Sequence, residues 1–216
     1  MILGSLYKVS TTMGKVWVFL GIGMVLWFIG EFLFTYLDVT VFAFLDPADV
    51  PNYNLADLFY LLAYPFLGVG LVIQMRLLKV STSSKEKAGI AIAIAVSSVI
   101  IFMISLLPMI EAWGTSADVI GDIILALYPV LDMFLIACVI IVFAKLRKGK
   151  INIAWILILI GLVVMTVADT FYQIYTQLEI EVMFAPYDLM YLISYLLIFA
   201  GALKVINVMT ASTKEA

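Results

Sequence analysis

"IGDIILALYPVLDMFLIACVIIVFAK", residues 120–145, decides the fold. As one α-helix this stretch rises roughly 39 Å, enough to cross a hydrocarbon core of about 30 Å. Its charges are Asp122 near the start, Lys145 at the end, and Asp132 in the middle, three residues after Pro129. Working outward, five further segments are long and apolar enough to span, at approximately 16–37, 56–78, 88–108, 152–176 and 185–208. Polar or Pro/Gly-bearing breaks separate them: "LDPADVPNYNLAD", "STSSKEK", "PMIEAWGTSAD", "KLRKGKIN" and "QLEIEVMFAP".

Composition agrees. Of 216 residues, 65% are hydrophobic and 12% charged, against roughly 45–50% and about 25% in soluble domains. The expected fold class is all-α: a polytopic membrane protein of six transmembrane helices, forming a single transmembrane domain over 1–216. The N-terminal "MILGSLYKVSTTMGK" has no short apolar core followed by a small-residue cleavage site, so no removable signal peptide is expected. The sequence contains no histidine and one cysteine, Cys138. Those counts remove the usual general base, the commonest zinc ligand and any intrachain disulfide. No cofactor, nucleic-acid partner or enzymatic activity is expected, and metal binding stays open.

Basic residues set the orientation. Lys8, Lys15, Arg76, Lys79, Lys85, Lys87, Lys145, Arg147, Lys148, Lys150, Lys204 and Lys214 fall at the N-terminus, the second and fourth loops, or the C-terminal end. The first, third and fifth loops have none. The positive-inside rule then places both termini in the cytoplasm of a multi-pass plasma-membrane protein.

The chain also resembles itself. The second span reads "DLFYLLAYPFL" and the sixth "DLMYLISYLLI", both D-x-x-Y-x-x-x-Y, at Asp57, Tyr60, Tyr64 and Asp188, Tyr191, Tyr195. The fourth shares Tyr-Pro, at Tyr128 and Pro129, with Tyr64 and Pro65. The odd spans match less well, although Glu31 and Asp38 occupy similar outer ends to Asp169 and Glu179. These matches predict three tandem helical hairpins, approximately 16–79, 88–148 and 152–208, repeated in parallel because each unit has an even number of spans.

The stretches "NLADLFYLLAYPFLGVGL", "ILALYPVLDMFLIA" and "GLVVMTVADTFYQIYTQ…DLMYLISYLLIFAGAL" resemble the polytopic N-terminal membrane modules of bacterial and archaeal diguanylate cyclases, phosphodiesterases and histidine kinases. Those modules carry an "aDxxYLxxYPxLxxGL" helix, a "YPxxDxxLL" helix and a "vaDtxY" helix. The resemblance covers roughly residues 55–205 and implies a sensor. No catalytic domain follows within the 216 residues, so signalling is expected to pass to a separate cytoplasmic partner.

An ionised carboxylate at the bilayer centre costs about 2.5–3.5 kcal/mol on insertion scales, so intramembrane acids face the bundle interior, pair, or line a wet cavity. Helical spacing puts Trp27, Glu31, Thr35 and Asp38 on one stripe of the first span. It does the same for Asp57, Tyr60, Tyr64 and Gly68 in the second span, and for Asp169, Tyr172, Gln173 and Thr176 in the fifth. The sixth adds Asp188, Tyr191, Ser194 and Tyr195. Asp132 is the deepest acid, with Tyr128 one turn above it. Pro129 leaves an upstream carbonyl without its helical partner, adding a hard oxygen near Asp132.

The expectation is an outward-open acidic and tyrosine-walled cavity floored near Asp132. Its ligand-binding residues are Asp132, Tyr128, Asp169, Glu31, Tyr64, Asp57, Tyr172, Asp188, Tyr191 and Tyr195. No lysine or arginine in the outer half is placed to pair with these acids. They are expected to be protonated, hydrogen-bonded to tyrosine, or matched by a bound cation. The competing structural reading makes the same residues interhelical glue, an aromatic belt and, for Asp57 and Asp188, helix N-caps.

Other signals are weaker. Asp46, Asp49, Asn52, Asn54 and Asp57 offer oxygens but lack the EF-hand spacing, glycine and terminal glutamate. "KLRKGK" is explained by topology. The functional reading is a sensor binding a small ligand or cation. The alternatives are a proton- or cation-coupled transporter or channel, and a structural subunit of a membrane complex. Expected partners are the lipid bilayer, a cytoplasmic signalling protein or other membrane subunits, and a second copy in a homo-oligomer.

Overall fold

Apolar stretches of this length fold as helices because a bilayer leaves no water to satisfy the backbone. The computed structural model describes residues 9–45, 50–51, 53–112, 119–146, 153–178, 180 and 185–214. Among these the only regular structure is helical: α1 (Thr12–Thr40), α2 (Leu55–Leu77), α3 (Ser84–Ile101), a π turn (Phe102–Leu106), α4 (Leu107–Ala112), α5 (Val119–Leu146), α6 (Ile153–Gln177) and α7 (Pro186–Lys214). A short 3-10 turn, Phe42–Phe44, follows α1. Six helical stretches are long and apolar enough to cross a membrane, the third being α3 through α4. The chain is therefore a multi-pass membrane protein. Asp46, Asp49, Asn52, Glu179 and the basic residues at 147–150 lie outside the described residues.

Local chemistry starts four of the helices. Thr11 Oγ1 accepts from the Gly14 N–H at 3.0 Å. Asn54 and Asp57 form a capping box on α2, and Ser83 and Glu86 form one on α3. Pro186 opens α7, where its missing N–H costs nothing. Inside the helices α2 runs through Pro65 and α5 through Pro129 unbroken. The third span instead widens into its π turn just before Pro108, where the proline ring would crowd the Ile104 carbonyl.

Consecutive helices pack as hairpins. The closest pairs are α1 with α2 and α6 with α7, while α5 packs on α2, α3 and α6. Glycine permits the close approach. A Cβ at Gly23 would lie 2.6 Å from Leu67 Cγ, and one at Gly161 would lie 2.6 Å from Ile198 Cγ1 and 3.0 Å from the Ser194 carbonyl. Ser194 Oγ, fully buried, donates to the Gly161 carbonyl at 2.9 Å. The core is built from Trp17, Leu20, Trp27, Leu67, Leu71, Leu135, Val139, Leu159 and Leu162. By contrast the third span is largely exposed, presenting Ile92, Val96, Val99 and Ile100. That is the pattern of a helix facing lipid.

One end of the bundle is acidic, bearing Asp38, Asp57, Glu111, Asp122 and Asp188; the other bears Lys15, Arg76, Lys79, Lys85, Lys87 and Lys145. At the basic end Lys145 Nζ, on α5, donates to the Met75 carbonyl at 2.8 Å, capping the C-terminus of α2.

Candidate functional site: a buried acid–tyrosine network

Four of the expected acids are tied together by tyrosine hydroxyls from other helices. Tyr64 on α2 lies at the centre, and its hydroxyl donates to Asp132 Oδ1 on α5 at 2.9 Å. The same hydroxyl lies 3.3 Å from Asp169 Oδ2 on α6. Tyr191 on α7 donates to the other oxygen of Asp169, Oδ1, at 2.7 Å. Tyr195, one turn further along α7, donates to Glu31 Oε1 on α1 at 2.6 Å. Tyr60 on α2 faces that same Glu31 carboxylate. Tyr128 on α5 donates to Asp57 Oδ1 on α2 at 2.6 Å.

The network joins all three hairpins. The carboxyl groups of Asp132 and Asp169 also lie within hydrogen-bonding reach of one another. A tyrosine hydroxyl carries one hydrogen, so Tyr64 does not fully satisfy both acids as a donor. One further proton, on either carboxyl, completes the chain of hydrogen bonds.

The space expected to be an open cavity is lined with rings. Tyr64 is 2% exposed and Asp132 3% exposed. Trp27 packs edge-on against Tyr64 at 5.8 Å between centroids, and Tyr128 does so at 6.4 Å. Long aromatic side chains deliver their hydroxyls to the carboxylates from neighbouring helices, so the acids are partnered from within the bundle.

Two expected site residues lie beside this network and bond to none of its acids or tyrosines among the described residues. Asp188 is exposed, and its Oδ2 accepts from the Ala185 backbone N–H at 2.9 Å, capping α7. Asp188 is thus the third residue of its helix, bonding back to the residue before the helix as the acid of a capping box does, rather than the N-cap itself. Tyr172 packs edge-on against Tyr187 at 5.4 Å, in an aromatic group that also holds Tyr175 and Tyr191. Asp57 does both jobs: Oδ2 accepts from the Asn54 N–H at 2.7 Å while Oδ1 serves Tyr128.

Tyr60 and Trp27, absent from the expected ligand-binding set, belong to the network's wall. Their signal was already in the helical stripes that carry Glu31 and Tyr64. Three buried polar atoms elsewhere have no protein partner among the described residues, Gln74 Oε1 on α2, Ser105 Oγ in the π turn and Thr166 Oγ1 on α6. No group of three or more acids, cysteines or histidines among the described residues is arranged to hold a metal ion.

The class defined by fold and site is a six-helix membrane bundle with an internal acid–tyrosine network. No protein family, curated protein or solved structure matches the chain.

Proposed function

We propose that this chain is a sensor-like module of the plasma membrane, with both termini cytoplasmic and built from three repeated hairpins. A small cationic ligand, or a proton, enters the acid–tyrosine network from the outer side and alters helix packing. A separate cytoplasmic partner reads that change. The orientation rests on the clustering of basic residues at one end of the bundle.

The observation that carries the reading is the placement of Tyr64 between Asp132 and Asp169. Two acids from different hairpins meet at one hydroxyl, with no lysine or arginine in that half of the spans to neutralise them. Positive charge arriving there has differential affinity for packings that bring the acids together, which is what a ligand needs to shift a conformational equilibrium.

Thermal unfolding of the purified protein in lipid nanodiscs tests this. The melting temperature is expected to respond to pH and to small ammonium or monovalent cations, and Asp132→Asn with Asp169→Asn is expected to abolish the response. An unchanged response in that variant removes the reading.

A second reading, proton- or cation-coupled transport, draws on the same bridged pair and on Gln74, a polar side chain 2% exposed toward the basic end of α2. Proton or cation flux in liposomes that Asp132→Asn abolishes would favour it. Copurification in fixed ratio with other membrane proteins would instead favour a structural subunit.

A further inference from the structure

The first and third hairpins correspond residue by residue. Trp17, Gly23 and Glu31 of α1 recur at the same spacing as Trp155, Gly161 and Asp169 of α6. Asp57, Tyr60, Tyr64 and Gly70 of α2 recur as Asp188, Tyr191, Tyr195 and Gly201 of α7.

The matched residues also have matched surroundings. Asp57 caps Asn54 as Asp188 caps Ala185. Gly23 meets Leu67 as Gly161 meets Ile198, and Gly70 meets Leu20 as Gly201 meets Ile158. Within hairpin 1 Tyr60 faces Glu31, and within hairpin 3 Tyr191 bonds Asp169. Between hairpins the second tyrosines are exchanged: Tyr64 reaches Asp169, and Tyr195 reaches Glu31. Trp17 and Trp155 meet each other at 5.0 Å, as two equivalent residues do near a twofold axis.

We infer that hairpins 1 and 3 are a pseudo-twofold pair, and that the exchanged tyrosine–acid bonds form a clasp that opens at the acidic end while the Trp17–Trp155 contact acts as the pivot. Each hairpin is a rigid body, because its two helices touch backbone to side chain at glycines. Between the hairpins the contacts are side chain to side chain. Apolar tryptophan packing lies toward the basic end, and polar bonds that a proton or cation competes for lie toward the acidic end. Breaking the polar contacts leaves the apolar one intact, so the expected motion is a rocking of one hairpin against the other.

Hairpin 2 bonds hairpin 1 through Tyr128 and Asp57 and through Asp132 and Tyr64, and it also packs on hairpin 3, where α5 lies against α6 and Gln177 Nε2 donates to the Ser105 carbonyl at 3.2 Å. The acids facing the clasp are thus Glu31 from α1, Asp57 from α2, Asp132 from α5 and Asp169 from α6, with tyrosines from α2, α5, α6 and α7 around them. The proposed function above supplies what opens the clasp; the joint itself does not depend on which ligand does so.

Spin-label distance measurements on the full chain in nanodiscs, without added ligand, test the joint. After Cys138→Ala, one label pair at Thr35→Cys and Thr176→Cys reports the acidic end, and another at Lys15→Cys and Ile153→Cys reports the pivot. Tyr64→Phe with Tyr195→Phe is expected to lengthen and broaden the first distance by several ångströms and leave the second unchanged. Tyr128→Phe, which removes a bond outside the clasp, is expected to move neither. If the double variant does not fold, each single Phe variant is expected to give a smaller shift of the same kind. An unmoved acidic end, equal movement at both ends, or the same movement in Tyr128→Phe overturns the inference. None of these outcomes bears on the ligand-dependent melting response, so the two readings fail separately.

Discussion

Tyr195 donates its hydroxyl to Glu31 across 164 residues of chain, at 2.6 Å. The bond closes the last transmembrane helix onto the first. In water such a pair would compete with solvent at both groups. In a bilayer the competitors are other protein groups, and interhelical hydrogen bonds average about 0.6 kcal/mol with a maximum near 1.7.

Tyr195→Phe is therefore expected to lower unfolding stability by about 1 kcal/mol, because Tyr60 remains beside Glu31 to take part of the load. Unfolding in mixed micelles measures it. A Tyr60→Phe and Tyr195→Phe double variant is expected to lose more than the sum of the singles, since Glu31 is then left without either hydroxyl.

Tyr64→Phe is expected to cost more, on the order of 1–3 kcal/mol, because it strands a buried carboxyl rather than a partly exposed one. Asp132 is 3% exposed, and the Tyr64 hydroxyl donates to it at 2.9 Å. A cycle of Tyr64→Phe with Asp132→Asn separates the bond from the burial: the pair is expected to couple by at least 0.5 kcal/mol, as directly bonded residues do. Additive losses would mean that the hydroxyl and the carboxyl do not act together.

The spans, their order and the acid–tyrosine stripes were legible because a bilayer imposes length and apolarity one helix at a time. Which acid meets which tyrosine was not, since the partners lie on helices far apart in sequence. The motif D-x-x-Y-x-x-x-Y marked α2 and α7 as alike, yet the likeness of α1 and α6 was harder to see. Its carriers, Trp17 with Trp155 and Gly23 with Gly161, read as ordinary apolar positions until their contacts are known. Hydrogen bonding to tyrosine was one of the three expected states of these acids, and Tyr64, Tyr128, Tyr191 and Tyr195 donate such bonds from neighbouring helices. The side on which hairpin 2 packs is legible afterwards: Phe134 of α5 lies against Gly68, and Thr166 on α6 is buried, whereas the corresponding positions carry Phe199 and Phe28, which are 60% and 70% exposed. Small and hydroxylated residues receive a helix; large aromatic ones suit lipid.

Gly161→Val is expected to destabilise hairpin 3 by about 1–3 kcal/mol, the range for forcing extra atoms into a packed interface. Its Cβ would meet the Ser194 carbonyl at 3.0 Å, and a backbone atom cannot swing away. Gly89→Ala supplies the control, because nothing lies within 4 Å of a Cβ at that position. Alanine there is expected to be neutral or to stabilise α3 by up to about 1 kcal/mol, as helix propensity dictates.

Asp188 and Asp132 provide the sharpest separation between structure and function. Asp188 serves the start of its own helix, so Asp188→Ala is expected to cost roughly 0.3–1 kcal/mol, as losing a carboxylate from a helix's first turn does, and to leave any proton- or cation-induced shift in melting temperature untouched. Asp132 sits where helices from different hairpins meet, and Asp132→Asn keeps its shape and a hydrogen-bonding group while removing the ionisable one. That variant is expected to fold with a similar melting temperature and to lose most of the shift. Both are read in one titration series on the nanodisc-embedded protein. If Asp188→Ala removes the shift and Asp132→Asn does not, the responsive acid lies at the membrane surface, and the buried network is only a means of holding three hairpins together.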